Sequence, residues 1–290
     1  MKKLLIASTA LVASAGFAAA DVALSGSANI FVVHDSAAAN KTIAKNSVEF
    51  FLSGSGTTDG GLSFGASIDL ESDNDGANTT AATNQTNDGE VFVSGAFGTL
   101  TVGNVADALD GFGSADVGFD GVGVDNVGEA SKGQQNNNYV HFTTTFDAVT
   151  IIVTSSLQGA ADDYAVAARY KAGDLDIGIG TSRDGATGGV TNIIDVNGSF
   201  GDIGFEAFYL DENAAGGNID GWGVSASYVM GATTWTFAAS DNTTAGVDMA
   251  YGIGASYDLG GGAKIAGGIG SIDTGAARKT VADFGISMSF

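Results

Sequence analysis

Ala282-Asp283-Phe284-Gly285-Ile286-Ser287-Met288-Ser289-Phe290 changes side-chain character at every step. Phe290, Met288, Ile286, Phe284 and Ala282 fall on one face of an extended chain, with Ser289, Ser287, Gly285 and Asp283 on the other, because successive side chains of a strand point to opposite sides. A helix would scatter both sets around its circumference. Working outward, the same pattern recurs in Tyr251, Ile253, Ala255 and Tyr257 against Gly252, Gly254, Ser256 and Asp258. It recurs again in Trp222, Val224, Ala226, Tyr228 and Met230 against Gly223, Ser225 and Ser227. One face is greasy; the other is small or polar.

With turn residues as punctuation, this period of two predicts strands near 22–33, 46–56, 62–71, 89–97, 99–104, 138–146, 149–157 and 163–171. It continues near 175–182, 191–200, 203–210, 220–230, 233–240, 247–258, 263–271 and 280–290, sixteen in all. Tight turns such as Asp147-Ala148, Gly201-Asp202 and Gly231-Ala232 alternate with longer polar loops. An even strand number with short turns at one end and long loops at the other describes a transmembrane β-barrel.

Charge placement separates this reading from a soluble sandwich. Glu49, Asp69, Glu71, Glu90, Arg169, Lys171, Asp176, Asp195, Glu206, Asp258, Lys264 and Asp283 all take the parity opposite to the bulky apolar set. A charge facing lipid at midplane costs about 2–4 kcal/mol, whereas a water-filled lumen accepts it. Aromatic residues gather near both ends of the strands: Phe97, Phe146, Tyr170, Phe200, Trp235, Tyr257 and Phe290 at the turn end, and Tyr139, Tyr164, Tyr209, Trp222 and Tyr251 at the loop end. Two interfacial belts are expected from them.

The 290 residues are 44% hydrophobic and 15% charged, with 45 glycines, no proline, no cysteine and a formal net charge of -22. Eleven basic against 33 acidic residues remove the positive surface that nucleic acid requires. Without cysteine there is neither a disulfide framework nor a thiolate metal site. His34 and His141, the two histidines, leave little for an enzyme, and no catalytic residue is expected. The competing readings are an outer-membrane barrel enzyme, poorly served by those histidines, and a secreted calcium-binding β protein, whose G-G-x-G-x-D repeats are missing. Residues 1–20, with Lys2 and Lys3 before an apolar run from Leu4 to Val12 and with Ala18 and Ala20 at the end, read as a cleaved signal peptide. The barrel domain is then 21–290.

One connection is abnormally long. The loop 105–136 carries Asp107, Asp110, Asp116, Asp120, Asp125 and Glu129 against Lys132 alone, interleaved with Phe112, Val117, Phe119, Val122, Val124 and Val127. Apolar residues at that density suit packing on the inner wall with the carboxylates toward water, so a pore constriction is expected here, a solvated surface loop being the alternative. Within the strands, the lumen wall is expected to carry Glu49, Asp69, Glu90, Asp195 and Glu206, with Arg169 as the deep basic partner. Lumen-parity acids outnumber bases by nine to three, which predicts preference for cations.

Gly56-Thr-Thr-Asp-Gly-Gly-Leu-Ser-Phe-Gly-Ala-Ser67, Val91-Phe-Val-Ser-Gly-Ala-Phe-Gly-Thr-Leu-Thr-Val-Gly103, Gly254-Ala-Ser-Tyr-Asp-Leu-Gly-Gly-Gly-Ala-Lys-Ile-Ala-Gly-Gly-Ile269 and the terminal Ala282–Phe290 strand resemble the general porins of alphaproteobacteria, the Rhodobacter type. The resemblance implies a sixteen-stranded antiparallel barrel in the Gram-negative outer membrane, a homotrimer passing ions and small hydrophilic solutes, with its third extracellular loop folded inward. It implies that Phe284, Ile286, Met288 and Phe290 form the signal read by the barrel-assembly machinery, and that the second loop, Ser72 to Asn87, reaches a neighbouring subunit. Family members hold calcium through loop acids, which would fall on Asp116, Asp120 and Asp125, though without EF-hand spacing and with surplus acidity as the plainer reading; no other cofactor is expected. The sequence departs from the family at its basic wall. The first five predicted strands contain no Lys or Arg, and Lys45 sits just before the second.

Overall fold

The structure, a computed structural model, describes residues 21–74, 86–130, 138–157, 163–214, 217–273, 275 and 277–290. The predicted leader and most of the second loop, with Lys132, lie outside them. Among the described residues the chain forms β1 (Asp21–Asp35), β2 (Thr42–Thr57), β3 (Ser63–Asn74), β4 (Thr86–Gly95), β5 (Gly98–Val105), β6 (Asn138–Phe146), β7 (Val149–Ser155) and β8 (Tyr164–Ala172). Then follow β9 (Leu175–Arg183), β10 (Val190–Phe200), β11 (Ile203–Ala214), β12 (Gly217–Met230), β13 (Thr233–Asn242), β14 (Ala250–Gly260), β15 (Ala263–Asp273) and β16 (Arg278–Ser289). One four-residue helix, α1 (Asp125–Gly128), lies between β5 and β6.

Each strand pairs antiparallel with its sequence neighbours, and β1 closes on β16 with Ser27 opposite Ser289 and Asp35 opposite Val281. Closure leaves no sheet edge, the condition for strands to cross hydrocarbon where no water can satisfy the backbone. The last residue completes the seam: Gly26 N donates to Phe290 O at 2.8 Å and Phe290 N to Gly26 O at 3.0 Å. Tight two-residue turns need left-handed backbone, supplied by Gly201 at φ 61° and, without glycine, by Asp147 at φ 54°.

The greasy parity is the exposed one. Leu24, Ile30, Ile68, Val91, Ile179, Ile194, Phe237, Ile269 and Phe284 are all exposed in the single chain, as lipid-facing residues of a barrel must be. The turn-end aromatics Phe97, Phe146, Tyr170, Phe200, Trp235, Tyr257 and Phe290 are exposed, as are Tyr164, Tyr209, Trp222 and Tyr251 at the loop end; the Tyr139 side chain lies outside the described set.

Two details differ from the sequence reading. β2 begins at Thr42, four residues earlier than predicted, so Lys45 is in the wall and the first five strands do carry a base. The interior face is not uniformly small: Phe31, Ile193, Phe208, Leu210, Ile272 and Val281 have lumen parity and are buried. They have a cover, because the long loop after β5 lies on them.

Candidate functional site: the loop and the lumen

The described part of the loop, 106–130, packs along interior-parity side chains from β7 round to β1. Three apolar contacts hold it. Ala108, Leu109 and Phe112 meet Ala165, Ala167, Ile193, Phe208 and Leu210. Val117, Val122, Val124 and Val127 meet Ala238, Ala250, Ile272 and Val281. Phe119 meets Phe31 at a ring-centroid distance of 5.1 Å, with Ala266 beside them. Valines and phenylalanines that would be wasted on a solvated loop thereby bury apolar area at about 25 cal/mol per Å².

Polar contacts fix the register of the loop on the wall. Ala108 N donates to Thr154 Oγ1 (3.2 Å), Ala115 N to Ser225 Oγ (3.0 Å), Gly128 N to Ser240 Oγ (3.0 Å) and Asn242 Nδ2 to Val127 O (2.6 Å). Ser240 Oγ also donates to Val124 O. Glycines on the wall allow the close approach: a Cβ on Gly221 would strike Gly128 O.

The six loop acids divide by role. Asp107 accepts from Leu109 N (2.8 Å) and from Thr154 Oγ1 (3.2 Å) of the wall, and Glu129 Oε1 accepts from Ser114 N (2.9 Å), joining two parts of the loop. Asp125 is buried against Asp116 and Glu129, and burial first, then those two neighbouring carboxylates, push its carboxyl up to about 7. Asp116 and Asp120 are exposed and Asp110 partly so, and these three remain turned to water. Asp120 faces Lys45 across 3.8 Å.

The wall charges divide in the same way. Arg169 donates from Nε to Asp176 Oδ1 (2.8 Å), from Nη2 to Asp195 Oδ2 (3.1 Å) and from Nη1 to Gly111 O (3.3 Å), while its guanidinium lies 4.7 Å from the Phe112 ring centroid. It clamps the loop's root rather than standing free as a pore cation. Asp195 and Asp283, counted from parity as lumen acids, are buried under the loop, at 3% and 6% exposure. Glu71, Asp73 and Asp258 are open to the lumen. With Glu49, Asp120, Lys45 and Lys264 they line a water-accessible cavity of about 990 Å³ beside the loop tip. Glu206 lines a smaller one of about 270 Å³ with Asp174 and Ser225. Asp69 and Glu90 take the lumen-facing register of β3 and β4.

Calcium finds no ready cage. Asp116 adjoins Asp125, but Asp120 turns to Lys45, and among the described residues no group of three His, Cys, Asp or Glu side chains is placed to hold a metal. Six to eight oxygens would be needed, so the three acids as arranged do not fit the ion.

The long loop was legible in the sequence; the apolar residues beneath it, chiefly Phe31, Phe208 and Leu210, were not singled out, and Asp283 was read as facing water. Unbroken apolar runs at Ile30-Phe31-Val32-Val33 and Phe208-Tyr209-Leu210 carried the signal, since a strand covered on both faces loses its alternation.

Known proteins share this architecture. The sequence pattern described as Gram-negative porin matches residues 7–277. A porin of Rhodobacter capsulatus is 30% identical, the match covering 93% of this chain and 100% of that one. A porin of Fuscovulum blasticum is 28% identical over 86% of this chain and 92% of its own. Among solved structures, a multiply substituted mutant of the Rh. blastica porin superposes with a TM-score of 0.77 at 22% identity, covering 93% of this chain and all of that one. With the closed barrel, the two aromatic belts and a match along nearly its whole length, the chain belongs to the Gram-negative porin family and is a multi-pass channel of the outer membrane.

Proposed function

We propose that this porin is a passive, cation-preferring diffusion channel for ions and small hydrophilic solutes, without catalysis or cofactor. The observation carrying the preference is the lining of the 990 Å³ cavity, where Glu49, Glu71, Asp73, Asp120 and Asp258 face Lys45 and Lys264. Carboxylates around a narrow aqueous path raise the local cation concentration and exclude anions. The loop beside them is the constriction, since it occupies lumen space that a barrel without it would leave to water.

In the membrane three copies associate, and the lipid-facing row Phe284, Ile286, Met288 and Phe290 is what the assembly machinery reads. Family membership supports the trimer, and the exposure of Phe284 and Phe290 supports the row. Reversal potentials in planar bilayers across a KCl gradient test the central reading. Cation preference is expected, reduced when Asp73, Asp120 and Asp258 are changed together to Asn. Anion preference in the unaltered protein would overturn it.

A further inference from the structure

The tip of the loop is held by a carboxylate that parity alone would assign to the pore. Asp283 Oδ2 on β16 accepts from two consecutive amides, Phe119 N and Asp120 N, each at 2.8 Å. Its side chain is 6% exposed, so it lies beneath the loop instead of lining the water path. Three strands clear a bed for the tip. Gly254 on β14 pairs with Gly268 on β15, and Gly268 pairs with Asp283. A Cβ on Gly268 would come within 2.6 Å of Gly118 Cα, one on Gly254 within 2.7 Å of Gly118 N, and one on Gly285 within 2.9 Å of Phe119 Cγ. Gly118, at φ 104°, completes the fit, since a side chain there would run into the Asp283 carboxylate.

From this geometry we infer that Asp283 is the positioning residue of the constriction: it draws the loop tip onto a side-chain-free strip of β14, β15 and β16 and so sets the aperture. Charged acceptors make the stronger hydrogen bonds, and two amides converging on one oxygen fix both position and direction of the backbone. Asp120, held through its own amide, is thereby aimed at Lys45 and the main cavity. The inference rests on the loop being the constriction, but concerns pore size, whereas the proposed ion preference concerns charge.

Proteoliposome swelling with a pentose and a trisaccharide reads the aperture, with unheated gels confirming the assembled oligomer. Asp283→Ala releases the tip from the wall into the lumen, and the trisaccharide-to-pentose rate ratio is expected to fall by about two-fold or more. Asp283→Asn keeps an acceptor oxygen without the charge and is expected to hold the ratio nearer to wild type than Asp283→Ala does, which a purely electrostatic role would not allow. Gly268→Ala keeps the carboxylate but lifts the tip off the wall, so the ratio should fall below wild type. An assembled Asp283→Ala with an unchanged ratio, or Asn and Ala variants displaced equally, would overturn the inference. Should Asp283→Ala fail to assemble, an unchanged ratio in Gly268→Ala would overturn it alone. Reversal potentials on the same samples separate this outcome from failure of the cation-preference reading.

Discussion

Lys45 Nζ on β2 stands 3.8 Å from Asp120 Oδ2 at the loop tip, with side chains 27% and 46% exposed. The pair crosses from wall to loop in open water, where such contacts contribute about 0–1 kcal/mol to stability. Its weight falls on permeation. Lys45→Gln removes one of the two bases lining the main cavity and leaves its acids in place, so cation preference should increase, with thermal stability nearly unchanged. Reversal potentials at low and high salt check this. Both proteins should lose preference between 0.1 M and 1 M KCl, as the screening length contracts from about 10 Å to about 3 Å.

Arg169 behaves oppositely. Its partner Asp195 is 3% exposed, and Arg169→Ala leaves that carboxylate buried without its cation while removing the contacts to Gly111 O and the Phe112 ring. Breaking a buried pair from one side costs about 3–5 kcal/mol. The heat-modifiable oligomer should therefore dissociate at a clearly lower temperature. Arg169→Met with Asp195→Asn removes both charges and should recover much of the loss, as gel mobility after graded heating would show.

The loop should also loosen as pH rises. Asp125 has its carboxyl raised to about 7, chiefly by burial, from an ordinary value of 3.8. Between those values the folded loop holds a proton that the detached loop releases, so attachment is strongest at low pH and weakens as pH climbs through 4 toward 7. Limited proteolysis within the loop should accelerate from pH 5 to pH 8 and then level off. In Asp125→Asn that slope should flatten.

Phe290 closes the ring at the β1–β16 seam through both backbone bonds to Gly26, and its ring stands edge-on to Phe50 at 5.9 Å. Deleting it should reduce the amount of oligomer inserted in the outer membrane. Phe290→Ala keeps the backbone bonds, so insertion above the level of the deletion would assign part of the loss to the seam and the rest to the aromatic ring. Undiminished insertion by the deletion would remove Phe290 from the signal.

Strand number and facing were legible because lipid enforces parity: a misplaced charge at midplane is too costly to be common. What the period of two could not distinguish was an interior residue facing water from one facing another part of the chain. Asp283 and Glu71 have the same parity and the same chemistry, yet one is buried beneath Phe119 and the other lines the cavity. Their difference is set by a distant loop, whose Phe119 amide bonds Asp283 across 164 residues of sequence. Lys45 was misplaced for a plainer reason: strand ends are poorly marked by alternation when the flanking residues, here Thr42-Ile43-Ala44, are also short or apolar.

The loop's fastenings also have a mechanical meaning. Between Thr154 on β7, Arg169 on β8, Ser225 on β12, Ser240 on β13 and Asp283 on β16, a single stretch of chain ties together staves that are far apart around the circumference. Such a tie acts as a chord across a hoop. Squeezing the cylinder out of round, as bilayer tension or a crowded neighbour does, changes the span between the chord's anchors before it changes the perimeter. A shift of those anchors thus moves the loop as well as the wall.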